Sequence, residues 1–375
     1  MLKLRDISRL DWSALEPSIF GTLFERTLDP EKRSQIGAHY TSRQDIVTLL
    51  EPVVMQPLRR EWTEVKAKCE KLSSELASAK TATAKRKKVQ QRDKTLRDFV
   101  ERLAHVTILD PACGSGNFLY VALHLLLDLE KEVITFAARQ GIGLLPQVRP
   151  TQLAGIEINA YAQELASVVI WIGYLQWMHH NGFNPPSNPV LEPIESIRRM
   201  DAILDLSDPE NPKEPEWPEA DFIVGNPPFL GGNKIRSELG DEYVTKLFAL
   251  YEDRVPAFAD LCCYWFEKAA CRVQQGGVPR IGLLATQGIR GGANRKVLDS
   301  IKAKGDIFYA ESDRDWILDG ATVHVSMVGF DGGEEVLRVL DGRAVPSINA
   351  NLTAHADVTT ARRITANVGV CFMGA

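Results

Sequence analysis

The stretch Leu109-Asp110-Pro111-Ala112-Cys113-Gly114-Ser115-Gly116-Asn117-Phe118 decides the fold of this chain. A short β-branched run ends at Asp110, two glycines follow, and the apolar segment from Asn117 to about residue 132 is typical of a helix. Gly114 and Gly116 lack a Cβ atom, so the backbone of this turn can approach a ligand closely at the carboxyl end of the strand. A tight strand-to-helix turn without a ligand is the alternative. The dinucleotide-binding fingerprint G-x-G-x-x-G is excluded, because Leu119 stands where its third glycine would be.

A second candidate site residue ends the next predicted strand, at residues 152–157. Glu157 is placed there to accept hydrogen bonds from two ribose hydroxyls of a ligand. The two strands are further apart in the chain than is usual, and we interpret residues 139–150 as an insertion. A single glutamate at such a position is more often a charge at a helix N-terminus. Because Glu157 comes after the glycine turn, we favour the ligand-binding role for it.

A third motif, Asn226-Pro227-Pro228-Phe229, follows a predicted buried strand at residues 221–225. The two prolines stiffen the backbone and leave the Asn226 side-chain oxygen and the Pro227 carbonyl free to aim at one point. Both are hydrogen-bond acceptors, so they suit a ligand NH₂ group, and Phe229 offers a flat face on which a planar group can stack. The alternative is a strand-to-loop turn that uses proline for rigidity.

Strand and helix signals alternate through most of the chain after residue 105. Further strands are predicted at residues 280–285 and 323–330, and further helices at residues 159–179, 260–274 and 294–304. Strands separated by helices of this length predict an α/β fold, in which a mostly parallel sheet carries helices on both faces. Before this region, a helix is predicted to begin at Thr41 or Ser42 and to bury Ile46, Leu49, Leu50 and Val53.

The segment from residue 61 to about residue 105 differs in composition from the rest of the chain. It is rich in Lys, Glu, Ala, Ser and Arg, contains no Gly or Pro, and predicts one long helix or a helical hairpin that breaks near residues 79–84. Residues 59–102 carry a net charge of +7. We favour a solvated arm that is too polar for the core. The alternative is contact with a phosphate backbone through Lys85, Arg86, Lys87, Lys88, Arg92 and Lys94.

The composition of the whole chain sets outer limits on its class. Its 375 residues are 45% hydrophobic and 25% charged, which excludes a chain that is disordered overall. The net charge of −5 excludes a uniformly basic nucleic-acid binder. We find neither a bilayer-spanning apolar stretch nor a signal peptide, and expect a cytoplasmic protein without membrane contact. The six cysteines form no C-x-x-C pair, so neither disulfides nor a metal site are predicted.

The glycine turn at residues 110–118 and the motif at residues 226–229 together resemble the amino-methylating DNA methyltransferases that use S-adenosylmethionine. Residues 37–41, Gly-Ala-His-Tyr-Thr, resemble the segment that precedes the glycine turn in gamma-class adenine-N6 enzymes. The resemblance covers about residues 17–330. It is closest to the methyltransferase part of single-chain type II (IIG-like) restriction–modification enzymes, to which residues 230–235 and 260–266 are also similar.

The resemblance implies a class I methyltransferase fold, which is Rossmann-like, and it assigns roles to residues. It implies that Thr41 contacts the carboxylate of S-adenosylmethionine, with Tyr40 nearby, and that Asp110 takes the ammonium. The remaining implied cofactor contacts are Pro111, Ala112, Gly114 and Gly116 in the glycine turn, Glu157 at the ribose, and Asp201 with Ala202 at the adenine. It implies that Asn226 and Pro227 hold the target amine, while Pro228 stiffens the loop and Phe229 stacks on the target base.

The activity implied is methyl transfer to the exocyclic N6 of an adenine flipped out of double-stranded DNA, in a restriction–modification or phage-defence system. Two alternatives stay open. The same pocket could methylate a protein glutamine or an RNA base, or the chain could be a non-catalytic DNA-binding subunit. The basic arm and the segment before the glycine turn favour DNA.

Three regions are predicted along the chain. Residues 1–105 form an N-terminal helical region, residues 106–330 the catalytic domain, and residues 331–375 a C-terminal remnant or the start of a recognition domain. Residues 331–375 are too few for a module that reads DNA sequence in the major groove, and the N-terminus leaves no room for a nuclease. We therefore expect a truncated or split enzyme whose target-recognition domain or subunit is separate or missing.

Overall fold

The computed structural model describes residues 41–183, 194–276, 280–318 and 321–355, together with residues 17 and 19. The predicted helical pieces before residue 41 lie outside the described residues, as does nearly all of the region after residue 355. Within the described part of the chain, no helix is both long enough and apolar enough to cross a bilayer.

A single mixed sheet organises the described residues. Its strands are β1 (Ile108–Asp110), β2 (Leu153–Glu157), β3 (Ile197–Arg199), β4 (Phe222–Gly225), β5 (Arg280–Thr286), β6 (Asp306–Leu318), β7 (Ala321–Asp331), β8 (Arg338–Leu340) and β9 (Arg343–Val345). Their order across the sheet is β3-β2-β1-β4-β5-β7-β6-β8-β9. The first five run parallel, and β7 inserts antiparallel between β5 and β6. The predicted mostly parallel sheet is confirmed.

Helices cover both faces of the sheet. They are α1 (Arg43–Leu50), α2 (Gln56–Ser78), α3 (Ala82–Ala104), α4 (Asn117–Arg139), α5 (Ala160–His180), α6 (Gly232–Leu239), α7 (Asp241–Leu250), α8 (Cys262–Gln274) and α9 (Arg295–Lys304). A π-helical turn, Glu51–Met55, joins α1 to α2. Successive strand residues point to opposite faces, so Leu284 of β5 joins the core under α1–α5, whereas Leu283 joins the core under α6–α9.

Helix α1 begins beside the carboxyl ends of the strands and packs along β5. Ser42 is its N-cap, and the Ser42 hydroxyl accepts a hydrogen bond from the amide of Asp45. Thr41, the other predicted cap, is buried. The predicted apolar face is also buried. Val53, in the turn after α1, packs closely against Gly282 of β5: a Cβ atom on Gly282 would be 2.6 Å from Val53 Cγ2.

The predicted helical arm is a hairpin of α2 and α3, with its break at residues 79–81. The expectation that it is too polar for the core is wrong for one face, because Trp62 and Phe99 are buried, stack on each other and pack against α4. Ser73 and Arg92 both donate hydrogen bonds to Gln140, just beyond the far end of α4. Since α4 begins at the glycine turn and runs about 34 Å, the tip of the hairpin points away from that turn.

Half of the six arm cations bond to nearby acidic groups. Lys88 pairs with Glu75, Arg92 with Asp93, and Lys94 with Asp98. These contacts neutralise part of the local charge and favour the solvated arm over contact with a phosphate backbone near the glycine turn.

Several elements are absent from the sequence prediction. They are β3, the long strand β6, the short strands β8 and β9, and the helix pair α6–α7. Register shifts between Ile307 and Tyr309 and between Glu311 and Arg314 interrupt the alternation of β6. A pattern search of period two fails at such bulges.

Candidate active site at the carboxyl edge of the sheet

A cavity of about 340 Å³ lies where β1, β2 and β4 end. Ligands bind at this edge of open α/β sheets, because the strand ends and the helix N-termini converge there. The structure brings ten of the predicted site residues to its wall: Thr41, Asp110, Pro111, Ala112, Gly114, Glu157, Asp201, Ala202, Asn226 and Pro228.

Four predicted site residues are placed elsewhere. Tyr40 lies outside the described residues. Gly116 has a φ of 83° and faces α5, where a Cβ atom would be 3.1 Å from the Cα atom of Ala166. Its size therefore lets α4 approach α5, and it is not part of the cavity wall. Pro227 and Phe229 follow Asn226 on the same loop, next to the wall and outside the lining set.

Glu157 joins the first two strand ends. Its Oε2 accepts a hydrogen bond from the amide of Gly114 at 2.9 Å, and its Oε1 accepts one from the amide of Asn159 at 2.8 Å. Enclosure by the surrounding chain raises the pKa of this carboxyl, and the two amide donors oppose that rise. Each carboxylate oxygen keeps further acceptor capacity for a ligand hydroxyl.

Asp110 is the most enclosed carboxyl of the wall, with 1% of its surface exposed. Its Oδ1 accepts a hydrogen bond from the amide of Ala112 at 3.0 Å. The pKa of Asp110 is raised to about 8, chiefly by burial; the Ala112 amide opposes this rise, and the nearby charge of Glu157 adds to it. A Cβ atom on Gly225 would lie 2.4 Å from Asp110 Oδ1, so a larger residue at this position of β4 would collide with the carboxyl group.

Asp201 occupies the third strand end, after β3. Its Oδ1 accepts hydrogen bonds from the amides of Ile203 at 2.8 Å and Leu204 at 3.1 Å. Its Oδ2 accepts a hydrogen bond from the hydroxyl of Tyr243 at 2.8 Å. Burial and the adjacent Asp201 charge raise the pKa of Tyr243, which keeps the phenol protonated as a donor. Tyr251 also holds this loop, by donating to the carbonyl of Ile203.

Asn226 differs from these carboxyls. Its Nδ2 donates a hydrogen bond to Thr41 Oγ1 at 3.2 Å, and the Thr41 carbonyl accepts one from Asn117 Nδ2 at 3.1 Å. These bonds fix the orientation of the amide. The Asn226 Oδ1 atom is buried and has no hydrogen-bond partner among the described residues. It is therefore an acceptor available to a donor that enters the cavity.

Phe229 packs edge-on against Trp316 of β6, with ring centroids 5.7 Å apart and planes at 77°. The loop after β4 therefore packs against β6, a strand of the antiparallel half of the sheet.

The sequence analysis missed several residues of the wall. Tyr243, Glu238 and Leu239 come from α6 and α7, which the sequence did not indicate as helices. Trp265 donates a hydrogen bond to the carbonyl of Pro111 at 2.9 Å and lies within residues 260–266, a segment noted for its family resemblance. No local signal pointed to Tyr243, since its contact with Asp201 spans 42 residues.

The chain is similar to known proteins in sequence and in fold. The family described as the MmeI DNA-methyltransferase domain matches residues 85–340. DNA methyltransferase A of Bacillus subtilis (strain 168) is 26% identical over 246 residues, which cover 61% of this chain and 24% of that protein. A putative type II restriction enzyme and methyltransferase of Methanocaldococcus jannaschii is 26% identical over 169 residues, which cover 43% of this chain and 14% of that protein.

Two solved structures share the fold. The type IIL restriction–modification enzyme MmeI in complex with DNA aligns with a TM-score of 0.72 and 26% identity over 94% of this chain and 46% of its own. The DrdV–DNA complex aligns with a TM-score of 0.50 and 15% identity over 90% of this chain and 30% of its own. The chain thus spans less than half the length of each of these relatives.

These matches confirm the predicted fold class and the resemblance to the methyltransferase part of restriction–modification enzymes. Because the matched family covers well over half of the sequence, this chain belongs to the MmeI DNA-methyltransferase domain family.

Proposed function

We propose that this chain is the catalytic part of a DNA methyltransferase that moves a methyl group from S-adenosylmethionine to N6 of adenine. Double-stranded DNA is the proposed partner, in a restriction–modification or phage-defence setting. The observation that carries the proposal is the buried, unpartnered Oδ1 of Asn226, held in orientation by Thr41 at the cavity wall.

The cavity residues fit the proposed cofactor. When bound, S-adenosylmethionine supplies an electrophilic methyl group on a sulfonium that leaves readily. Buried carboxyls at the ends of β1 and β2 suit an ammonium at Asp110 and ribose hydroxyls at Glu157. Gly114, with a φ of 52° and open space around it, leaves room for close backbone approach. Asp201 and Ala202 would face the adenine of the cofactor, and Thr41 its carboxylate.

The target wall supplies acceptors for an amine. The lone pair of an exocyclic adenine amine is delocalised into the ring, which makes the nitrogen a poor nucleophile. Asn226 Oδ1 and the Pro227 carbonyl would accept its two hydrogens and localise that lone pair. Positioning and charge stabilisation then provide the rate enhancement, without a covalent intermediate. His324 is hydrogen-bonded through Nδ1 to Asp313 at 2.8 Å and is not among the residues that line the cavity.

Binding of a duplex requires the target adenine to leave the base stack, at a cost of a few kcal/mol. Phe229 would offset part of that cost by stacking on the base, which contributes about 1–3 kcal/mol in comparable sites. The additional length of the relatives leaves room for a target-recognition domain or subunit, which would supply the sequence-specific contacts.

A methyl-transfer assay tests the proposal. The chain is incubated with methyl-labelled S-adenosylmethionine and unmethylated bacterial DNA, and the digested nucleosides are separated. We expect label in N6-methyladenine. Asn226→Ala should lower transfer by about 100-fold or more, as does loss of one preorganised polar group in other active sites, with little change in cofactor affinity. Asn211→Ala, at an exposed asparagine, is the matched control.

Label in cytosine would exclude adenine as the acceptor. Cofactor binding without label in DNA would mean either that a target-recognition module is absent or that the acceptor is a protein glutamine or an RNA base, and those substrates would be tried next. Equal activity of Asn226→Ala and Asn211→Ala would remove Asn226 from the mechanism.

A further inference from the structure

Asp260 lies at the centre of a hydrogen-bond network directly behind the target wall. It precedes Leu261, which lines the cavity, but it is not itself among the lining residues. The network joins four segments of the chain: the loop after β4, the N-terminus of α8, the end of β5 and the N-terminus of α9. No step of the proposed methyl transfer uses this carboxylate.

Both carboxylate oxygens of Asp260 are used. Oδ1 accepts a hydrogen bond from the amide of Gly232 at 3.1 Å. Oδ2 accepts one from Asn294 Nδ2 at 2.8 Å and one from the Thr286 hydroxyl at 3.3 Å. The pairing with Asn294 is reciprocal, because Asn294 Oδ1 accepts from the backbone amide of Asp260 at 2.8 Å. Asn294 is buried, so water competes little for these bonds.

Two further contacts hold the same loop. The amide of Leu261 donates to the carbonyl of Leu230 at 2.8 Å. Gly232 lies so close to Phe258 that a Cβ atom at Gly232 would be 2.1 Å from the Phe258 carbonyl oxygen. The loop is therefore held at Leu230 and at Gly232, one residue on either side of Gly231 and immediately after Phe229.

We propose that Asp260 and Asn294 form a positioning pair that sets where the loop of Asn226 and Phe229 stands over the cavity. This inference rests on the proposed function, since the loop is the part that would hold the target amine. Gly232 follows Asn226 by six residues, two of which are prolines with restricted backbone rotation. We therefore expect a shift of Gly232 to change the position of Asn226 as well.

The alternative is that the network only stabilises the packing of α8 and α9. The two roles differ in what a substitution changes. Loss of a positioning pair lowers kcat for methyl transfer and leaves cofactor affinity unchanged, because Asp260 does not touch the cavity. Loss of general stability lowers the melting temperature and weakens cofactor binding and transfer together.

The test uses the full chain, unmethylated bacterial DNA and S-adenosylmethionine. Asp260→Ala should lower kcat by about 10- to 150-fold, the range expected for a hydrogen bond to a charged group, with cofactor Kd unchanged. Asn294→Asp should have a similar effect, because it sets two carboxylates against each other. The double variant Asp260→Asn/Asn294→Asp exchanges donor and acceptor, and it should recover most of the lost kcat.

Hydrogen exchange supplies a readout that needs no activity. In the unmodified chain the peptide over residues 226–236 should be protected, and Asp260→Ala should speed its exchange while leaving α4 unchanged. Thr286→Val removes one hydrogen bond of the network and replaces Asp260→Ala in the test if that variant fails to fold. It should speed exchange in the same peptide by a smaller factor.

The outcomes separate the two proposals. Unchanged exchange in residues 226–236, or a uniform rise across the chain, overturns the positioning pair. An active enzyme whose kcat is insensitive to Asp260→Ala overturns it as well. A chain that transfers no methyl group to DNA but shows the local exchange response loses the proposed function and keeps the positioning pair.

Discussion

The two walls of the cavity satisfy their polar groups in opposite ways. On the wall proposed to hold the cofactor, called the cofactor wall below, Asp110, Glu157 and Asp201 each accept a hydrogen bond from the amide two residues further along the chain. On the target wall, Asn226 has a buried Oδ1 with no partner in the described residues. Each carboxylate of the first wall accepts a hydrogen bond from its own stretch of backbone, whereas Asn226 Oδ1 accepts none from the described residues.

The reason for this difference lies in the sequence after each residue. Asn and Asp side chains commonly bond the amide two residues on, which satisfies them locally. At Asn226 that position is Pro228, and the position before it is Pro227; neither has an N–H group. The two prolines therefore remove the local donors as well as stiffen the loop. An unsatisfied buried acceptor costs about 1–3 kcal/mol, which a substrate amine can recover.

Of the variants that test how the two walls are joined, Gly225→Ala has the largest expected effect. The added Cβ atom would lie 2.4 Å from Asp110 Oδ1, and Gly225 directly precedes Asn226. Overpacking of this kind costs about 1–3 kcal/mol. We expect cofactor affinity and kcat to fall together, with a combined loss of about 5- to 150-fold, as measured by titration calorimetry and methyl transfer.

Gly143→Ala is the matched control, because its Cβ atom would meet no atom within 4 Å. If Gly225→Ala lowers kcat but leaves cofactor affinity intact, the two walls are mechanically independent, and the contact between Gly225 and Asp110 does not join them.

Pro228→Ala tests whether the missing amide at Pro228 leaves Asn226 Oδ1 without a partner. Its expected effect on kcat is smaller than that of Gly225→Ala. The substitution restores an amide two residues after Asn226, which can then bond Oδ1 as the cofactor wall does. The competing local bond should lower kcat by about 3- to 10-fold, the value of one neutral hydrogen bond, with no loss of cofactor affinity. Pro227→Ala restores an amide only one residue away and is the comparison. Equal kcat for Pro228→Ala and the unmodified chain would contradict the explanation.

The strand ends of this site could be predicted from sequence, because their signals are local. The glycine turn after Asp110 and the prolines after Asn226 mark where β1 and β4 end. The cap of α1 and its buried face follow from the same short-range rules.

What the sequence could not indicate depends on distant contacts. Tyr243 reaches Asp201 across 42 residues, and Asp260 reaches Asn294 across 34. Helices α6 and α7 are amphipathic but short, with 8 and 10 residues, and were not predicted from the sequence. The bulges of β6 hide a strand that supports Phe229 through Trp316. Predicting that the prolines leave Asn226 unpartnered required knowing that no distant donor replaces the local ones.

The smallest expected effect is on stability, and it arises because one wall carries the ionisable Asp110 whereas the other carries the uncharged Asn226. The pKa of Asp110 is raised to about 8 in the folded chain from an ordinary value of 3.8. Between these values the folded state holds a proton that the unfolded state has released, so this group's contribution to stability is complete below about pH 4 and is lost as pH rises to about 8. Asp110→Asn resembles the protonated form and keeps the acceptor for the Ala112 amide.

Asp110→Asn should therefore melt about 1–3 °C above the unmodified chain at about pH 9 and at the same temperature near pH 4. Its cofactor affinity should fall, because the proposed partner of the ammonium is gone. Asn226→Ala carries no charge change, so its difference in melting temperature from the unmodified chain should not depend on pH. Calorimetric scans of the three proteins at both pH values decide the matter. Suppose that the melting-temperature difference of Asn226→Ala depends on pH, or that the difference of Asp110→Asn does not. Either result would mean that ionisation of buried Asp110 does not destabilise the folded chain.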